Sequence, residues 1–240
     1  MMEVVYEDNH IIIVNKKSGE IVQGDKTGDR PLSDIVKDYI KEEYQKPGAV
    51  FLGVVHRLDR PVSGLVAFAR TSKALTRLNK MFAEGEVHKT YWAIVSTSLV
   101  KSEKGTTKSE KFLDDGEWHT LENWLVRNEK QNKSYAYDRE VPRSKKAVLK
   151  YRTIGLSDHY TLVEVQLLTG RHHQIRCQLA AMGCPIKGDL KYGAARSNPD
   201  GSISLLSRRM MFTHPVSKED IIVEAPLPND TLWQVLAPKE

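Results

Sequence analysis

The chain has 240 residues, enough to bury a substantial core, and its 36 basic and 31 acidic side chains give a net charge of +5. That mild basicity permits a nucleic-acid partner without demanding one, and no apolar run approaches membrane-spanning length. Two cysteines, Cys177 and Cys184, with no second pair and no CxxC spacing, offer no zinc site and read as reduced packing residues.

The first residues, MMEVVYEDNHIIIVNKK, lack the arrangement of a signal peptide, so a cytoplasmic protein is expected. Two short strands are expected at Glu3 to Tyr6 and His10 to Asn15, separated by a Glu-Asp-Asn turn. Leu32, Ile35, Val36, Tyr39 and Ile40 then recur at helical spacing, with Pro31 suited to the start of that helix. Pro61 and Gly64 mark a turn before GLVAFA, an apolar, sheet-like run. A second helix follows over Ser72 to Ala83, with Leu75, Leu78, Met81 and Phe82 on one face and an end near Gly85.

Strands are expected at Lys89 to Ser96, Leu121 to Arg127, Ala147 to Ile154, Tyr160 to Leu168, Arg209 to Thr213 and Asp220 to Glu224, where β-branched and aromatic residues are prominent. The polar segment Lys101 to Gly116 reads as an exposed connection, and a short helix is expected before the Gly-Cys-Pro turn at Cys184. Many strands and few helices imply an α+β fold with a long, mixed, mostly antiparallel sheet flanked by helices. No repeat or linker divides the chain, so one domain is expected.

Charge is unevenly spread. Between Arg127 and Lys150 there are eight Lys or Arg and three acidic residues, an excess of five that equals that of the whole chain. Tyr135 and Tyr137 lie within it, and cations beside aromatic rings suit an RNA backbone with unstacked bases. A solvated loop between strands explains any single residue there equally well.

Residues 54 to 70 read VVHRLDRPVSGLVAFAR, which sets Asp59 between Arg57 and Arg60 in a loop that leads into a buried strand. Loops of that kind often carry catalytic side chains, although an exposed ion pair alone is worth little. Three more segments decide the matter: HKTYWAIV at 88 to 95, LLTGRHHQIRCQLAAMGCPIKGD at 167 to 189, and FTHPVSKEDIIVEAPLP at 212 to 228. Together they resemble the RluA family of RNA pseudouridine synthases, over nearly the whole chain.

The resemblance implies an isomerase that detaches uracil from its ribose, turns it and rejoins it through carbon, in ribosomal or transfer RNA, as a cytoplasmic monomer without cofactor, metal or membrane. It makes Asp59 the catalytic aspartate, as nucleophile or as base; an adduct at the ribose, one at the uracil ring and a glycal route all remain open. It assigns Arg176 of HQIR as the counter-ion that keeps Asp59 ionised in a dry pocket, with Arg171 the rival on sequence alone. Tyr91 matches the active-site tyrosine, where packing is the ordinary role of a strand tyrosine. Leu205 would line the uracil pocket. Arg57 would enter the RNA stack as uridine leaves it and His56 would orient the loop, although both could make local backbone contacts instead, the more ordinary role for His56. Lys133, Arg143, Lys145, Lys146 and Arg171 are the expected RNA contacts.

His172 and His173 invite a metal reading with His56, Cys177 and Asp189. Neighbouring residues at a helix start are expected to diverge, however, and the resemblance explains His173 and Gln174 as pocket builders without metal. Three positions depart from the family pattern: Val62 for Thr, Lys17 for Pro and Leu206 for His. No small RNA-binding domain of the S4 type is expected ahead of the catalytic pattern. A catalytically silent RNA-binding protein in ribosome assembly is the rival reading. A glycoside hydrolase is a weaker one, because Asp59 has no second carboxylate of comparable context.

Overall fold

The computed structural model describes residues 2–96 and 116–238. The polar segment expected at Lys101 to Gly116 therefore lies, but for Gly116, outside the described residues. The chain divides into two compact units, Met1–Lys89 with Ser207–Pro226, and Thr90–Leu206 with Leu227–Glu240. Each is built of strands covered by helices, as the α+β expectation requires.

In the first unit, β1 (Glu3–Glu7) pairs antiparallel with β2 (Ile11–Lys16), and β2 with β4 (Ser63–Ala69). The two-residue strand β3 (Gly53–Val54) lies on the end of β4, and β10 (Leu205–Thr213), within this unit from Ser207, pairs with β11 (Asp220–Glu224). Four consecutive apolar residues, Ile11 to Val14, and six in β4 are buried without alternation because both faces are covered. On one face α1 (Leu32–Glu43) packs Leu32, Val36 and Ile40 against Ile12, Val14, Val66 and Phe68. Each such burial is worth roughly 2 kcal/mol.

Helix α2 (Ser72–Glu84) begins where Thr71 accepts the Ala74 N–H at 3.1 Å and ends at Gly85, whose φ of 77° is the left-handed stop expected there.

The second unit orders its strands β5 (His88–Ser96, within the unit from Thr90), β9 (Tyr160–Leu167), β8 (Lys145–Leu156), β6 (His119–Asn128) and β7 (Lys133–Tyr137), every neighbour antiparallel. Helix α3 (Gln174–Ala181) covers one face through Cys177, which packs with Leu125 and Ala147. A short α4 (Thr231–Leu236) lies at the end of β8, where a Cβ on Gly155 would fall 2.0 Å from the Leu236 carbonyl oxygen. Both cysteines are free and buried, with thiols pushed up to about 12 and about 11 by desolvation, as packing residues should be.

Candidate active site

The HRLD segment is a loop between β3 and β4, held from below by a lysine that the motif itself does not contain. Lys16 is completely buried at the end of β2, and its ammonium donates to the carbonyls of Lys17 at 2.9 Å, Arg60 at 3.1 Å and Val62 at 2.6 Å. A buried ammonium without acceptors would cost several kcal/mol, so the three carbonyls fix the loop as they satisfy the charge. Desolvation pulls the Lys16 pKa down to about 8, opposed by Glu20 and Asp59.

The Val62 N–H donates to the Asp59 carbonyl at 3.0 Å, which closes a turn over residues 59–62. Gly64 then enters β4 with φ of 109°, where a Cβ would meet the Ser207 carbonyl oxygen at 2.4 Å, so only glycine lets the loop lie this close to β10. Asp59 is half-buried and Arg57 exposed, while Arg60 turns aside to Asp29 and Thr27. His56 accepts the Ala67 N–H on Nε2 at 3.0 Å and stacks on Phe82 with centroids 4.8 Å apart, so the imidazole ties the loop to β4. It is the local backbone contact that the sequence left open for His56 beside an orienting role.

The second unit holds the other candidates. Tyr91 is buried on β5 and, by its register with Val165 and that of Val165 with Tyr151, sits on the face that α3 covers. Leu205 is buried at the start of β10. Arg176 is buried on α3, and its Nε and Nη2 donate to the two oxygens of Asp189 at 2.7 and 2.9 Å. This bidentate pair uses one edge of the guanidinium, so any second carboxylate would have to be met by its other edge.

Sequence reasoning gave Asp189 no role in this pair. Gly188 places it, with φ of 89° and a Cβ position only 2.6 Å from the Ser202 carbonyl oxygen. Tyr192 was missed too: its ring lies 5.1 Å from the Arg176 guanidinium carbon, and its hydroxyl accepts the Ser134 N–H at 2.8 Å and is hydrogen-bonded to His173 Nδ1 at 2.9 Å.

The expectation that His172 and His173 diverge is corrected. Their rings stack 3.8 Å apart because His173 precedes the helix in a left-handed conformation, φ 52°. His172 meets Ser134 Oγ through Nδ1 at 2.9 Å and Asn132 Oδ1 through Nε2 at 3.0 Å, so these ring nitrogens serve hydrogen bonds. Gln174 accepts from Thr169 Oγ1 and the Arg171 N–H and donates to the Val148 carbonyl, which fixes the turn into α3. Exposed Arg171 donates from Nε to the Lys146 carbonyl at 3.0 Å, and Arg143 occupies a left-handed turn with φ of 65°. Lys133, Lys145 and Lys146 are strand residues, in place of the solvated loop that was the alternative.

A model of the RNA pseudouridylate synthase family matches residues 10–181. The chain belongs to that family. It is 30% identical over 242 residues to the ribosomal large subunit pseudouridine synthase D of Xanthomonas campestris, covering 95% of this chain and 67% of the relative. It is 29% identical to the tRNA pseudouridine synthase C of Vibrio cholerae, over 98% of this chain and 94% of that one. The fold is shared with human RNA pseudouridylate synthase domain containing 4, with a TM-score of 0.74 at 20% identity, covering 96% of this chain and 90% of that chain. The synthase-family stretch includes Asp59, Tyr91 and Arg176, so the protein is an isomerase of RNA uridine whose matched region holds all three candidates.

The two structural histidines make acid stability a test of the packing. Desolvation, helped by Lys89, lowers His56 to about 3; desolvation, helped by Arg176 and His172, lowers His173 to about 2. Below the unfolded value of about 6.5 the unfolded chain takes up protons that the folded chain refuses, so stability is full above that pH and falls as pH drops. Each histidine contributes a slope of up to about 1.4 kcal/mol per pH unit. Denaturant unfolding between pH 7 and pH 5 should show the decline, and His173→Asn should flatten it. A stability independent of pH in that range rules out two neutral buried imidazoles.

Proposed function

We propose that this synthase isomerises uridine in structured ribosomal or transfer RNA, with Asp59 as the catalytic carboxylate, Tyr91 against the uracil ring and Arg176 as the counter-ion to Asp59. The observation that carries the reading is the burial of Lys16 beneath the Asp59 loop. A fold that commits a buried charge to the Arg60 and Val62 carbonyls beside one half-buried carboxylate is holding that carboxylate for use. Arg57, exposed two residues earlier, takes the space of the departing uridine, while Leu205 supports the base.

The reaction exchanges a C–N for a C–C bond without net oxidation, and a carboxylate, a phenol and a guanidinium supply its acid, base and charge stabilisation without a cofactor. The relatives named for the large ribosomal subunit and for tRNA support these two classes of RNA.

Purified protein, exhaustively chelated, should be incubated with prefolded ribosomal and transfer RNA lacking modifications, and pseudouridine mapped at single-nucleotide resolution. New pseudouridine at defined positions is the expected result. If stoichiometric enzyme forms none in either RNA, the substrate assignment falls. If zinc alone restores turnover, the cofactor-free reading falls.

A further inference from the structure

The strands of the second unit fix the face on which each side chain stands. Gln178 of α3 donates to Asn123 at 3.0 Å, and Leu125, Ala147 and Cys177 cluster together, so these residues of β6 and β8 face the helix that carries Arg176. Their neighbours face the other way. Trp124 is paired in register with Tyr137 on β7 and with Lys146 on β8, and the three make a row across the opposite face.

Tyr135 shares that side of β7 with Tyr137; they are 38% and 42% exposed, a large apolar exposure for the end strand of a sheet. Cations attend the rings: Lys146 Nζ lies 5.9 Å from the Trp124 ring, and Lys133 Nζ, at the edge of the sheet, lies 5.6 Å from the Tyr135 ring and 5.1 Å from that of Tyr192 on the α3 side. Six residues along β8, roughly 20 Å away, a second row runs across the same face. There Trp92 donates to Glu164 at 3.3 Å, Arg152 donates to the same glutamate at 2.7 Å, and the Arg152 guanidinium lies 4.7 Å from the Trp118 ring. Exposed Lys150 lies between the rows.

We propose that this face, opposite α3 and Tyr91, is a second RNA platform that holds a single-stranded flank of the substrate by stacking unpaired bases on Trp124 and Tyr137. The proposal rests on the RNA-synthase reading and extends it: the substrate is gripped away from the reacting uridine as well as at it. On this face Lys146, Lys150 and Arg152, with Lys133 at its edge, outnumber the acidic Glu122 and Glu164, and that balance favours a polyanion over a protein partner. Exposed rings favour single strands, since a duplex hides its base faces.

Glutamates already meet two of the cations, Glu122 with Lys146 at 2.9 Å and Glu164 with Arg152 at 2.6 Å. Stacking therefore outweighs charge, and release of about two counterions predicts a shallow salt slope near −1.4.

A fluorescent nine-residue oligoadenylate, which offers the catalytic pocket no uridine, should be titrated into the full chain at several salt concentrations. Trp124→Ala with Tyr137→Ala should weaken binding about tenfold or more, and Trp124→Phe with Tyr137→Phe should retain the wild-type affinity.

Wild-type affinity in the double alanine variant overturns the platform, as does loss of affinity in the phenylalanine variant with an unchanged melting temperature. Unaltered oligoadenylate affinity together with loss of self-association in sedimentation would also overturn it, making the face a contact between copies. Absence of turnover on any RNA, with ring-dependent oligoadenylate binding intact, would instead remove the synthase reading and leave the platform standing.

Discussion

Asp59→Asn is expected to abolish pseudouridine formation, by a factor of roughly 10³ to 10⁶ in the single-turnover rate, while RNA affinity stays within about twofold. The amide keeps the shape of the side chain and so spares the backbone frame that holds the loop. That frame comes from the Lys16 ammonium on the Arg60 and Val62 carbonyls and from the Val62 N–H on the Asp59 carbonyl.

Folding and binding should therefore survive, and only the ionisable oxygen is lost. Arg57→Ala provides the contrast, because it removes an exposed side chain that acts when uridine leaves its stack: its turnover should slow while initial binding and the salt slope hold. Single-turnover rates beside equilibrium binding separate the two. Measurable multiple turnover by purified Asp59→Asn sinks the catalytic assignment.

The fold was most legible where burial agrees with local propensity. The Ile11 to Val14 run and GLVAFA announce strands covered on both faces, and Thr71 and Gly85 bracket α2 because capping is local chemistry. Strand β7 was illegible for a physical reason. In Lys-Ser-Tyr-Ala-Tyr the small residues Ser134 and Ala136 face the helix while Tyr135 and Tyr137 face outward, which inverts the usual inside-outside pattern.

Within the site, the HRLD loop could be recognised because its residues are contiguous. Lys16 could not, since its acceptors lie more than forty residues along the chain, at Arg60 and Val62. Asp189 escaped for a related reason. Its partner is 13 residues away across a turn that only the left-handed Gly188 permits, and an Asp after a Gly carries no signal of its own.

Asp189 also changes what an arginine substitution can prove. Arg176→Ala should be inactive, but it also takes the bidentate guanidinium from a carboxylate that is 1% exposed, and Asp189→Asn takes that carboxylate's charge from a guanidinium that is 6% exposed. Each should lose about 3 to 5 kcal/mol of stability, because each breaks a buried ion pair. Inactivity of either single variant therefore mixes unfolding with lost chemistry. The double variant Arg176→Met with Asp189→Leu removes both charges and should recover most of that stability.

If Arg176 serves Asp59 in the reaction, the double variant will be stable and still without turnover. Arg176→Lys, which keeps the charge but not the planar fork, will fold and turn over slowly. Recovery of activity along with stability in the double variant would make Arg176 a structural residue, and the counter-ion of Asp59 would have to be sought elsewhere. Denaturant unfolding and single-turnover rates on the same four proteins decide between these outcomes.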